Sequence, residues 1–171
     1  DMLEQLVRKP EDWRGAFRKL PNNLQLMMVH SLQSEAFNRI IAARLEAGLT
    51  LAEPIEGDVV GLIQDNGKID MGKLVEVESQ ILPRISRNCR LGRLAVTATL
   101  PGGESEFTES KPGEIERKVI SEMGLEDEDW QVSGIPRLSS KGSRRALTVT
   151  FSDFSVEEAG DVEGDQLSNR F

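Results

Sequence analysis

His30 and Cys89 are the single histidine and the single cysteine of this chain, and they are the two side chains with the most obvious chemistry. A histidine titrates near neutrality and can act as a general acid or base. A cysteine can be a nucleophile when a base lies beside it. One His and one Cys make neither a Cys/His zinc site nor an internal disulfide, so no metal is expected, and spacing alone does not bring the two together. The plainer reading of His30 is a partly buried residue hydrogen-bonded to backbone or to the nearby Gln33 or Ser34. No G-x-S-x-G elbow, G-x-x-x-x-G-K-[ST] loop or G-x-G-x-x-G fingerprint occurs. Hydrolase triads and nucleotide-phosphate cradles are therefore unsupported, and Gly102-Gly103 reads as a turn. Trp13 and Trp130 read as core or rim packing rather than base-stacking platforms.

The arginines differ in kind. From Ser79 to Gly103 there is no acidic residue, and Arg84, Arg87, Arg90 and Arg93 recur at every third position. On a helix each such step drifts about 60°, which keeps the first three on one side. Gln131 to Ser152 is again free of acids and holds Arg137, Lys141, Arg144 and Arg145, while the acids crowd into Glu104 to Asp129 and Asp153 to Asp165. Across all 171 residues, 21 Lys+Arg stand against 29 Asp+Glu, a formal net charge of −8. That balance argues against a generic nucleic-acid coat, because phosphate binding is driven by clustered cations releasing counterions. It also averages over two basic patches, which point to an anionic partner. The alternative for Arg144 or Arg145 is internal pairing with the acids after Asp153.

With 38% hydrophobic and 29% charged residues the chain can bury a core, and its length fits one ordinary domain. No run approaches the roughly 18 apolar residues of a membrane span, so no membrane is expected. The single cysteine suits a reducing, cytoplasmic setting. Asp1 in place of a methionine and an end at Arg170-Phe171 without a closing element suggest a piece excised from a longer chain.

The elements that must position these residues follow from periodicity. Trp13, Ala16, Phe17 and Leu20 lie on one face of a short helix between Pro10 and Leu20. Asn22 or Asn23 can cap a longer helix running to about Ala47, closed by Gly48, with Phe37, Ile40, Ile41 and Leu45 toward the core and Arg39, Arg44 and Glu46 in water. Asp58 to Ile63 reads as a strand, Asn66-Gly67 as a hairpin turn leading into Lys68 to Met71, and Val75 to Val77 as another short extended piece. Ile81, Leu82, Ile85 and Cys89 predict a helix up to Gly92 with Pro83 in its first turn. Leu94, Val96, Ala98 and Leu100 alternate as a half-buried strand. A helix follows Pro112, with Ile115, Val119 and Met123 inward, and Leu147, Val149 and Phe151 make a last strand. The fold class is α/β in the α+β sense: a mixed sheet flanked by helices, with an N-terminal helical section over about residues 10–48 and a mixed part over about 53–156.

Five segments, in order, carry a family resemblance. Val29-His30-Ser31-Leu32-Gln33-Ser34-Glu35-Ala36-Phe37-Asn38 resembles V-H-A-Y-Q-S-x-x-F-N of the TruD family of pseudouridine synthases. Glu53-Pro54-Ile55-Glu56-Gly57-Asp58-Val59-Val60 is similar to that family's E-P-x-x-G-D-V-V, and Arg93 to Leu100 to its R-x-x-V-T-A-P-L, with Thr99 in place of the proline. Pro112-Gly113-Glu114-Ile115-Glu116-Arg117 matches P-G-E-I-E-R, and Ser140-Lys141-Gly142-Ser143-Arg144-Arg145-Ala146 resembles S-x-K-G-[ST]-R-R-A.

The resemblance implies an isomerase that converts a uridine of tRNA to pseudouridine without metal or organic cofactor, on a base that has left the stack. It also implies a catalytic aspartate in a G-x-K-D motif before these segments and a G-S-Y-A-T-x-x-L-R-E strand after them; neither is in this chain. Asp70, in Asn66-Gly67-Lys68-Ile69-Asp70, sits in a hairpin pattern instead. On this reading residues 1–171 are one TRUD-type insertion domain whose partners are tRNA and the catalytic domain of the same polypeptide. Lys141, Arg144 and Arg145, supported by Arg87, Arg90 and Arg93, are then expected to face the cleft and bind RNA, because the arginine fork suits phosphate. His30, Gln33, Ser34, Phe37 and Asn38 are expected to fix their helix against the sheet or the domain junction, with no catalytic part. Two other readings remain: a stand-alone enzyme built on His30 or Cys89, and a protein-interaction module using the acidic stretches.

Overall fold

Three helices fill the first 46 residues of the computed structural model, which describes residues 1–125, 130–132, 134–149 and 155. The first, α1 (Met2–Arg8), is held by a capping box in which the Asp1 carboxylate accepts from Glu4 N and Glu4 reaches back to the cap amine. It buries no residue, so no core-facing stripe announced it. In α2 (Trp13–Phe17), Asp12 caps through Gly15 N and Ala16 is buried, but Trp13 is 66% exposed, not packed as its residue type suggested.

The long helix α3 (Asn22–Glu46) follows Pro21 and ends before Gly48, whose φ of 74° is the left-handed close expected there. Phe37 and Ile40 are buried as the periodicity predicts. Two neighbours reverse their expected places: Leu45 is 52% exposed, and Arg44 is only 4% exposed. The Arg44 guanidinium donates to both Asp58 carboxylate oxygens, at 2.6 and 2.8 Å, and to Thr50 O at 2.7 Å, while Asp58 also accepts from Ile55 N. A buried charge is tolerated when it is paired and its remaining donors are used.

The strands β1 (Val59–Ile63) and β2 (Ile69–Glu76) form the expected hairpin, with Gly67 at φ 76° and Gln64 N donating to Lys68 O. The two extended pieces read from sequence are one strand. After it come α4 (Leu82–Arg90), with Pro83 in its first turn, β3 (Leu94–Leu100), α5 (Lys111–Glu122), a 3-10 turn at Pro136–Leu138 and β4 (Ser143–Ala146). The sheet is antiparallel throughout in the order β2-β1-β3-β4. It curls until its outer strands approach, with Arg144 N at 3.5 Å from Met71 Sδ.

Phe37 and Ile40 of α3, Ile85 of α4, and Val119 and Ile120 of α5 share one core with Val60, Val96, Ala98 and Leu147. Each large side chain so buried contributes about 1.5–3 kcal/mol. β3 is buried along Ala95–Thr99, not half-buried as its alternation predicts, because the curl of the sheet and the segment Glu104–Thr108 shelter its second face. The last strand begins earlier than the apolar alternation suggests. Leu147 is buried beyond its end, Val149 is 73% exposed, and Phe151 lies outside the described residues.

Candidate nucleic-acid interface

Arg144 and Arg145 are adjacent on β4, and adjacent strand residues point to opposite faces. The register pairs Arg144 with Thr99 and Arg145 with Ala98. Arg144 therefore enters the curled face, where its guanidinium donates to Thr97 Oγ1 at 2.9 Å, Thr99 Oγ1 at 2.8 Å and Glu116 Oε1 at 2.7 Å, and reaches Glu116 Oε2 at 3.2 Å and Thr97 O at 3.3 Å. Glu116 in turn accepts from Thr99 N, just beyond the point where Val59 opens the neighbouring strand. Its carboxylate stands in for the missing strand partner. Arg144 was expected to face RNA; its donors are instead committed to the fold. The pairing is internal, but the acid is Glu116 on α5, whereas the acids after Asp153 lie outside the described residues.

Arg145 takes the other face and stays exposed, with its guanidinium carbon 5.3 Å from the centroid of the buried Phe37 ring. A cation over an aromatic face is held without losing its outward N–H donors. Lys141 is exposed and makes a 2.9 Å surface pair with Glu104. Such a pair is worth about 0–1 kcal/mol and exchanges readily for another anion.

Ile85 buries one side of α4, packed with the half-buried Ile81, Leu82 and Cys89. Arg84, Arg87 and Arg90 emerge on the other, and Arg93 follows, also exposed. Among the described residues none of these four, nor Arg145, forms an ion pair. The last turn of α4 favours cations through the helix dipole, which accounts for tolerance of Arg87 and Arg90 but leaves their charge unneutralised.

The residues of the α3 motif divide by depth. Gln33 is buried and donates to Pro101 O at 2.7 Å and Ser140 Oγ at 2.8 Å, so one amide ties α3 to the exit of β3 and to the segment carrying Lys141. Phe37 is core, Ser34 is half-buried, and His30 and Asn38 are exposed. The exposure of His30 departs from its reading as a partly buried, hydrogen-bonded residue. Cys89 is half-buried, and burial, with lesser contributions from Glu53 and Asp58, pushes its thiol pKa up. A nucleophile needs the opposite shift. Asp70 accepts from Gly72 N within β2. Among the described residues no group of three His, Cys, Asp or Glu side chains could hold a metal ion, and no helix is long and apolar enough to cross a membrane.

The sequence expectation places Arg44 in water and gives Asp58 and Glu116 no role beyond their motifs, although a signal for Arg44 and Glu116 is present. Arg44 lies seven residues after Phe37, on the same helical stripe, and Glu116 lies three and four before Val119 and Ile120. A charge on an apolar stripe implies a buried partner.

Comparison with known proteins adds an independent line. A family model described as tRNA pseudouridine synthase D (TruD) matches residues 1–167. A relative from Methanosarcina mazei named "Probable tRNA pseudouridine synthase D" is 42% identical over 148 residues, 86% of this chain and 34% of its own length. One of the same name from Methanosarcina acetivorans is 38% identical over 167 residues, 98% of this chain and 37% of its own. The solved structure of a TruD protein from Methanosarcina mazei superposes with a TM-score of 0.78 at 41% identity, covering 85% of this chain and 33% of that one. The chain thus spans about a third of the length of the relatives it matches.

Proposed function

Because the chain belongs to the TruD family of tRNA pseudouridine synthases, we propose that it is the RNA-clamping segment of a longer synthase that isomerises a uridine of tRNA to pseudouridine in the cytoplasm. Residues 1–171 form a TRUD-type insertion domain in this reading. The catalytic aspartate is supplied by the part of the polypeptide that the chain does not span.

The observation that carries the proposal is the set of exposed cations, Arg84, Arg87, Arg90, Arg93 and Arg145, that lack a carboxylate partner among the described residues of a chain with net charge −8. Extruding a base from its stack costs a few kcal/mol, and an enzyme that does so must hold the flanking backbone meanwhile. Guanidinium forks suit that task. Arg145 on its Phe37 platform and Lys141 at the Gln33-braced segment form one contact, and Arg87, Arg90 and Arg93 form a second. Arg144 is left out, since its donors serve Glu116 and the two threonines.

Reversing the charge of Lys141 and Arg145 together in the full-length synthase tests this. Loss of two phosphate contacts should weaken tRNA binding and make the slope of log affinity against log salt shallower by about 2. Pseudouridine formation under subsaturating tRNA should fall in step. Unchanged binding and modification would show that these cations do not touch RNA.

A further inference from the structure

Given the RNA-clamping reading, on which this inference rests, we propose that α4 grips the paired phosphate backbone of an RNA stem and takes no part in holding unpaired bases. At 100° per residue Arg87 lies at the middle of the solvent side of α4, with Arg84 and Arg90 about 60° to either side and about 9 Å apart along the axis. The three form a convex comb opposite the buried Ile85, and Arg93 extends it beyond the helix end. A duplex carries phosphates on two strands, about twice the charge per length of one strand, so a short row of fixed cations on a convex surface can reach several of them at once.

A single strand asks for something else. It is held in a groove on aromatic platforms, each stacking one base. No Phe, Trp, Tyr or His occurs anywhere from Asn38 to Glu106, so neither α4 nor the strands beneath it can present one. The groove beside the helix, about 370 Å³, mixes the aliphatic Leu62, Val75 and Leu94 with Arg84, Asn88 and Arg93 and has no aromatic side chain in its lining. Side chains that reach only phosphate sense the form of the RNA and not its sequence.

The test compares two probes on the full-length synthase: an RNA hairpin with a fully paired stem, and an unstructured single strand of equal nucleotide count. With Arg84, Arg87 and Arg90 all changed to Gln, hairpin affinity should fall at least about tenfold between roughly 50 and 200 mM salt, with a slope shallower by about 2 to 3. Affinity for the single strand should change by less than about threefold. Should the triple variant fail to fold, Arg87→Glu serves alone, since its side chain has no ion-pair partner to lose among the described residues. An equal or larger loss on the single strand overturns the proposal. So does no loss on either probe while the Lys141 and Arg145 variant still loses tRNA, an outcome that leaves the clamp reading standing. If the wild-type protein binds neither hairpin nor tRNA, the clamp reading itself has failed.

Discussion

Arg144 and Arg145 are one bond apart and have opposite fates because a strand alternates. Arg144 spends its fork on Glu116, Thr97 and Thr99, while Arg145 keeps its outward donors above Phe37. The two therefore answer differently to substitution. Glu116→Ala leaves a buried guanidinium unpaired and Thr99 N without its acceptor, and should destabilise the chain by about 3–5 kcal/mol in urea unfolding. Replacing Arg144 and Glu116 together with Met and Leu should cost much less than the sum of the single changes. Arg145→Gln should stay within about 1 kcal/mol of the parent, the size of a cation–π contact at an exposed site, and should act on RNA affinity. A Glu116→Ala protein that unfolds at the parent urea concentration would remove the structural role given to the pair.

At the scale of elements, the segment that carries Lys141 is held from two sides. Gln33 of α3 bonds both Pro101 O and Ser140 Oγ, and Gly103 N and Glu104 N donate to Ser140 O and Lys141 O. Gly102 lies against the Gly142 backbone so closely that a Cβ there would collide with it. Gly102→Ala should therefore cost about 1–3 kcal/mol through forced backbone shifts, and should displace Lys141. Thermal unfolding together with tRNA affinity reads both effects, and an alanine variant as stable as the parent would contradict the close approach. Legibility in sequence followed the same physics. α3 was readable because Phe37 and Ile40 keep a helical period and Gly48 ends it. β4 was not, because Ser143-Arg144-Arg145-Ala146 has no apolar alternation and is a strand by virtue of its pairing with β3. Residue type alone places Arg44 in water, whereas its position on the Phe37 stripe points to the core. The exposed comb on α4 was readable in full, since spacing alone determines which side a helical residue takes.

At the scale of the molecule, the N-terminal helices leave several large apolar side chains uncovered among the described residues. Leu3, Val7, Trp13, Met27 and Met28 of α1, α2 and the first part of α3 are exposed, Val7 at 82%. If the chain is a third of a longer synthase, as its relatives' lengths suggest, the remaining polypeptide has a reason to sit there. The clearest case is α1, none of whose seven residues is fully buried within this chain. An isolated helix shorter than about 12 residues is marginal in water, so the capping box at Asp1 and Glu4 would not by itself keep its amides from exchanging. In the full-length synthase the α1 amides should instead exchange slowly, protected toward the level of core helices, because the rest of the polypeptide covers Leu3 and Val7. Hydrogen-exchange mass spectrometry on peptides spanning residues 2–8 measures this. Exchange at the rate of an unstructured peptide would mean that α1 is as bare in the whole protein as it is here, and that the larger polypeptide meets this segment elsewhere.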